Sequence, residues 1–316
     1  MLKLVPKQKY NDNERCLGEI VKGTDINKRV YYVESDSEDE DIDLDEKLNA
    51  KNIRKMKGDM TLRDIKQIEN CIRNNTQPSE DLKMIYDLVV AERKKKQQGF
   101  LKFSGIFQTC PDLDINLSKP FKRSQHIYVS GATGSGKSYW VADYLKLINK
   151  RQPDREIFIF SDVEHDEAFD GVIKNMTRIT LDDSLIVEPI TPEEVKNSIC
   201  LFDDIDSIAN KALKRVVNTL RDSLLKMGRH HNVQVISTAH SITDYKNTRT
   251  VINESNLLVL FCRSGSVNGQ RRLLQTYVGL DMKTIKEIFR IKTRAVCIHK
   301  TAPMFYSWQK GIRLLT

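Results

Sequence analysis

The chain has 316 residues, 40% of them apolar and 30% charged, which suits one large soluble domain or a mid-sized domain with an appendage. Its net charge of +8 is uneven: residues 1–50 hold 8 Lys/Arg against 13 Asp/Glu, and the remainder carries 43 against 30. A basic body behind an acidic start fits a polyanion-binding protein. No apolar run approaches the ~18–20 residues of a membrane span, the first 15 residues are too polar for a secretory signal, and the six cysteines form no CxxC pair. These features exclude a membrane protein, a disulfide framework and a zinc site, and place the chain in a reducing compartment.

In chain order, residues 1–60 read as a largely disordered acidic tail, because Glu34 to Asp41 is self-repelling and has nothing to bury. Ser35 and Ser37 sit in a context suited to an acid-directed kinase. Residues 61–100 read as a helical hairpin. Thr61 and Asp64 form a capping arrangement ahead of Ile65, Ile68 and Ile72, and Ser79 caps a second stripe of Leu82, Ile85, Tyr86 and Val89. From residue 101 to 316 the pattern is that of an α/β domain. Strands are predicted at Ile127–Ser130, Glu156–Asp162, Ile186–Ile190, Ile199–Asp203, Val233–Thr238 and Leu257–Cys262. Helices are predicted at Lys137–Ile148, Ala209–Gly228 and Gln270–Tyr277. A terminal hairpin is predicted from Ala295–Lys300 and Met304–Gln309. Short continuous apolar strands between helices argue a mostly parallel sheet covered on both faces.

One motif dominates. Gly131-Ala132-Thr133-Gly134-Ser135-Gly136-Lys137-Ser138 matches G-x-x-x-x-G-K-[ST] in full, between an apolar strand and an amphipathic helix. Its glycines let backbone N–H groups wrap phosphates, and the helix N-terminus adds positive potential. Lys137 is expected to reach the β- and γ-phosphates of ATP, and Ser138 to ligate Mg²⁺. About 65 residues on, the apolar strand Ile199–Phe202 ends in Asp203-Asp204. Asp203 is the expected Mg²⁺ partner and Asp204 the base that orients and deprotonates water, with Asp206 a nearby competitor. A third strand ends in Thr238-Ala239-His240, where Thr238 and His240 both qualify as γ-phosphate sensors. Arg229, at the end of a helix, is a candidate finger donated to a neighbouring subunit's nucleotide, and Arg263 is its rival.

Together the P-loop, Asp203-Asp204 and the segment from Leu220 to Thr238, with Gly228-Arg229-His230 ahead of an apolar strand, resemble the poxvirus-type genome-packaging ATPases of large double-stranded DNA viruses. These belong to the FtsK–HerA superfamily of P-loop NTPases. The resemblance spans roughly residues 121–261 and departs from that group in two places. Thr238-Ala239-His240 stands where Gln is common, and Asp204 where Glu is common. It implies a RecA-like core and a homo-oligomeric ring of five or six subunits. It further implies ATP hydrolysis coupled to moving double-stranded DNA into a capsid, with capsid or portal-type proteins as partners. The implied location is the host cytoplasm, at a viral factory, and the virion. No Asn-Lys-x-Asp guanine reader occurs, which disfavours a signalling GTPase. Another DNA-translocating or helicase ATPase, or a nucleotide-gated assembly factor with little turnover, are the alternative readings.

Overall fold

The computed structural model describes residues 1–6, 14–33, 62–83, 85–87, 89–90, 99–104, 106–109, 125–171, 173–240, 242, 245–301 and 303–315. Its frame is a ten-stranded sheet, six strands of which are parallel. Across that part the order is β8 (Met176–Ile179), β7 (Ile157–Ser161), β9 (Ile199–Asp203), β10 (Gln234–Ala239), β6 (Ile127–Ser130) and β11 (Leu257–Leu260). An antiparallel meander continues it through β12 (Val296–His299), β13 (Phe305–Trp308) and β14 (Gly311–Leu314) to β4 (Phe100–Lys102). The expected terminal hairpin is the β12–β13 pair.

The continuous apolar strands are explained by burial on both faces. Ile127 and Val129 of β6, Ile157 and Ile159 of β7 and Leu201 of β9 face helix α2 (Lys137–Arg151). The alternate residues Tyr128, Phe160, Cys200 and Phe202 face the other helices, chiefly α3 (Lys211–Met227), α5 (Val267–Tyr277) and α6 (Met282–Arg290). Helix α4 (Tyr245–Glu254) contributes Val251 and Ile252 to the same layer. No described helix is long and apolar enough to cross a membrane.

Two expectations are corrected. The run at 186–190 is not a strand: Ser184–Val187 is a single helical turn. The Asp182 carboxylate accepts from the Ser184 N–H at 2.9 Å and turns the chain there, and Val187 is 87% exposed, unlike the buried central strands. The sixth parallel strand is the more polar β8, an edge strand that the apolar pattern does not mark. The disordered tail expected over 1–60 does not hold for residues 1–6 and 14–33. There β1 (Leu2–Pro6), β2 (Glu14–Lys22) and β3 (Lys28–Val33) join β5 (Ile106–Thr109) in a second, antiparallel sheet of order β1-β3-β2-β5. Nine of the thirteen acids of the first 50 residues fall at 34–46. Averaging over the segment therefore hides the β-forming Leu2, Leu4, Val30, Tyr31 and Tyr32. Residues 34–61, including Glu34 to Asp41, lie outside the described residues.

Helix α1 (Leu62–Asn74) and a helical stretch within 80–90 occupy the region expected to form the helical hairpin. The small sheet packs its Leu17, Ile20, Val30 and Phe107 on Phe305 and Ile312 of the meander. The Phe107 N–H donates to the Gln309 carbonyl at 2.8 Å, and Arg151 at the end of α2 pairs with Glu19 of β2 at 2.9 Å. At Gly18, in a β-bulge, a Cβ would run into the Phe107 ring and lie 2.7 Å from the Gln108 carbonyl oxygen, so only glycine allows β2 to lie this close to β5.

His126, 6% exposed, opens β6 and its Nδ1 accepts the Val235 N–H at 3.0 Å. Burial pushes its pKa down to about 4, only partly offset by a hydrogen bond to the Leu225 backbone. The folded state therefore holds His126 neutral, whereas the unfolded chain takes up a proton near pH 6.5. The stability this gives is complete above pH 6.5 and is lost as pH falls toward 4, at a limiting slope of ~1.4 kcal/mol per unit. Urea denaturation of wild type and His126→Asn across that range should show a shallower pH dependence in the variant. Equal slopes would contradict the assignment.

Candidate active site

The site lies at the carboxyl edge of the parallel strands. β10 pairs with β6 on one side and β9 on the other, with Ala239 opposite Ser130 and Ser237 opposite Phe202. Three strands therefore end at one level, and the residues that follow them, Gly131, Asp204 and His240, converge.

Local geometry explains the loop. Gly134 and Gly136 hold φ of +72° and +100°, where a side chain is strained. At Gly131 a Cβ would lie 2.6 Å from Ser135 Oγ and 2.8 Å from Phe261 Cβ. The Gly131 N–H donates to the Ala239 carbonyl at 3.2 Å, and the Ala132 N–H to Ser264 Oγ at 3.3 Å, so the loop is fastened to β10 and to the turn after β11. Lys137 opens α2 and is buried.

Around its ammonium the contacts close into a chain. Lys137 Nζ is 3.1 Å from His240 Nδ1 and 3.6 Å from Asp204 Oδ2, and His240 Nε2 is 2.9 Å from the same Asp204 oxygen. An ammonium only donates, so Nδ1 is the acceptor. The imidazole then carries its proton on Nε2 and donates it to Asp204. Thr133 Oγ1 also reaches Nδ1, at 3.3 Å.

Beneath them, Thr238 Oγ1 lies 2.8 Å from Asp203 Oδ1 and 3.0 Å from Asp204 Oδ1, and accepts the Asp204 backbone N–H at 2.8 Å. Asp204 is left-handed (φ 46°, ψ 35°), an uncommon conformation for a residue with a side chain, and it turns the chain off the end of β9. Burial first, and then the charge of Asp204, push the Asp203 carboxyl up to about 6 against the opposing hydrogen bond from Thr238. The donor set suits Mg²⁺, since carboxylate and hydroxyl oxygens are its hard ligands, and a divalent cation would relieve the crowding of two acids. Among the described residues, no group of three or more His, Cys, Asp or Glu side chains is placed to hold a metal ion.

Not every candidate is brought together. Arg229 is exposed in the turn Gly228–His230, ahead of the amino end of β10. That is a strand length of ~20 Å from the P-loop edge. Arg263 follows β11 on the P-loop edge and is exposed. Asp206 acts instead on Tyr128, whose phenol pKa is raised by burial first, with the Asp206 charge adding to the rise and the Arg221 charge opposing it. Sequence reasoning missed Arg294, which donates through Nη2 to the Ser135 carbonyl at 3.2 Å. It also missed Ser264; both are far from the P-loop in sequence, with no local pattern to mark them.

No family model matches the sequence. Over 191 residues the chain is 36% identical to the uncharacterized protein V3 of Sputnik virophage, a match covering 60% of this chain and 76% of V3. The chain belongs to the V3 family. Among solved structures, this V3-family chain is similar to the genome packaging NTPase B204 of Sulfolobus turreted icosahedral virus 2 in complex with ATP-gammaS. That match has 14% identity and a TM-score of 0.41, covering 60% of this chain and 98% of that one. The pCW3 conjugation coupling protein TcpA gives 15% and 0.44, covering 68% and 66%. The cytoplasmic domain of the Thermomonospora curvata Type VII secretion ATPase EccC gives 13% and 0.42, covering 68% and 29%. The RecA-like P-loop fold of the V3-family chain is evident in its own sheet order, with β10 between the P-loop strand and the acidic-pair strand.

Thr238→Val should leave the Asp204 N–H without its acceptor and both carboxylates without their shared hydroxyl. We expect a loss of about 1–3 kcal/mol in urea denaturation at neutral pH. An unchanged midpoint would show that the hydroxyl does not organise the pair.

Proposed function

We propose that the chain is an ATPase motor of the FtsK–HerA type that moves double-stranded viral DNA into a capsid. The observation that carries its chemistry is the convergence of Lys137, His240, Asp204, Thr238 and Asp203 beside a complete phosphate loop. The coupling to DNA rests on the basic body of the chain and on the sequence resemblance from Leu220 to Thr238. We assign the ATPase body to residues 101–316, with 61–100 as a helical appendage and β1 to β3 as an added sheet packed on the meander.

ATP is the substrate, its phosphates held by the N–H groups of Gly131, Ala132, Thr133, Gly134, Ser135 and Gly136 and by Lys137. Ser138 and Asp203 would hold Mg²⁺, which supplies charge neutralisation on the phosphates. Asp204 orients water in line with the γ-phosphorus and takes its proton. The water oxygen bonds to phosphorus as the bond to the β–γ bridging oxygen breaks, and ADP leaves. His240, 38% exposed and hydrogen-bonded to both Lys137 and Asp204, is the better placed of the two sensor candidates. Thr238 is buried and committed to the carboxylates, so it is a positioning residue. A homo-oligomeric ring with a trans-acting arginine would complete the site. Arg229, exposed and about a strand length from its own P-loop, would serve a neighbour's nucleotide; Arg263 is the rival.

Steady-state ATP hydrolysis should rise several-fold with linear duplex DNA, and the stimulation should weaken with salt. Lys137→Ala should abolish turnover at every condition. Turnover indifferent to DNA would contradict the motor and favour a nucleotide-gated assembly factor. Asp204→Asn should still bind ATP but hydrolyse it roughly 10²-fold or more slowly. Undiminished turnover would reject Asp204 as the base.

A further inference from the structure

Beside the P-loop a cleft of about 200 Å³ opens between the first turn of α2, the meander and the small N-terminal sheet. Gly136 belongs both to the phosphate loop and to the wall of this cleft, so a ligand leaving the loop at that point enters it directly. Its walls combine flat apolar faces with hydrogen-bonding groups. Tyr139, which directly follows Ser138, is 63% exposed. Trp140 is fixed by stacking on Tyr144 at 5.7 Å and by an indole contact to the Cys297 thiol. Trp308 comes from β13, packed against Phe100 and Tyr306. Arg294 spreads its guanidinium beside Gly136, where an added Cβ would sit 2.9 Å from Nη2. From the small sheet come Gln108 and Lys22.

Aromatic faces with a planar guanidinium and an amide are what a planar heterocycle with polar edges requires. We propose that this cleft receives the nucleobase and ribose of the bound nucleotide, and that the N-terminal sheet closes it through Lys22 and Gln108. This rests on the nucleotide reading of the P-loop and gives Lys22, ahead of the ATPase body, a part in substrate binding. The sheet is positioned for it: Glu19 of β2 pairs with Arg151 at the far end of α2, and Phe107 of β5 is bonded to Gln309 of the meander.

The chain has two tryptophans, Trp140 and Trp308, and both line the cleft, so intrinsic fluorescence reports on its contents. The test titrates the full chain with ATP and with inorganic tripolyphosphate, following tryptophan emission and, separately, binding heat. ATP should change the emission and bind at least tenfold more tightly, whereas tripolyphosphate should compete with ATP yet leave the emission unchanged. Tyr139→Ala should weaken ATP about tenfold and leave tripolyphosphate unaffected, with Tyr139→Phe restoring ATP affinity. The pair Lys22→Ala with Gln108→Ala should likewise weaken ATP alone. Equal affinity for the two ligands with silent tryptophans would overturn the base subsite while leaving the phosphate loop intact. Unaltered ATP affinity in the Lys22/Gln108 variant would overturn the part given to the small sheet. Binding of neither ligand would overturn the nucleotide reading itself, and this inference with it.

Discussion

Two carboxylates at the end of one buried strand share a single hydroxyl on the next, and the arrangement of the site follows from that contact. Asp203 ends β9 and Asp204 follows it, Thr238 lies on β10, and the P-loop begins at the end of β6, on the far side of β10. Parallel pairing holds the three strand ends level, so the polar groups that cannot be buried within the sheet gather at its carboxyl edge. Such an edge, where loops leave the sheet, is the usual ligand site in open α/β folds. The cost of burying one acid beside another is visible in Asp203, pushed up to about 6 by burial first and then by the charge of Asp204. It is offset locally by the Lys137 ammonium and the imidazole N–H of His240, both directed at Asp204.

The second organising feature is the way the meander and the small sheet enclose the other side of the P-loop. The main sheet turns antiparallel beyond β11, and its last strands carry Trp308 and the backbone that receives β5. Helix α2 is thereby held at both ends. Its first residue, Lys137, sits in the polar cluster, and its last, Arg151, pairs with Glu19. A small apolar core of Leu17, Ile20, Val30, Phe107, Phe305 and Ile312 joins the N-terminal strands to the C-terminal ones. Residues from the two ends of the chain thus meet within reach of the phosphate loop.

What the sequence reveals follows where burial is most uniform. The central strands Ile127–Ser130 and Ile199–Asp203 coincide with β6 and β9, because strands covered on both faces must be apolar throughout. The phosphate loop is equally legible, since its positive-φ glycines and lysine are contiguous. Legibility fades where the environment is mixed. β8, at the edge, carries Thr177 and Arg178 and has no apolar run, whereas Leu185-Ile186-Val187 has one and forms a turn after Asp182. The N-terminal strands are short, half covered and followed by a dense acidic stretch. Contacts such as Arg294 to Ser135 bridge 159 positions, and no local pattern encodes them. Within the site, Lys137 is legible from the phosphate-loop motif, and Asp203, Asp204, Thr238 and His240 from their places at or just beyond strand ends. Their division of labour, with Thr238 beneath the carboxylates and His240 facing the lysine, required coordinates.

As proposed, ATP turnover at this edge drives movement along intact duplex DNA. Displacement of a third strand from a triplex placed on a linear duplex tests it most directly, because it records passage of the motor without strand separation. Release should require ATP, be absent with Lys137→Ala, and be delayed in proportion to the distance of the triplex from the entry end. ATP hydrolysis that proceeds with the third strand left in place would contradict it.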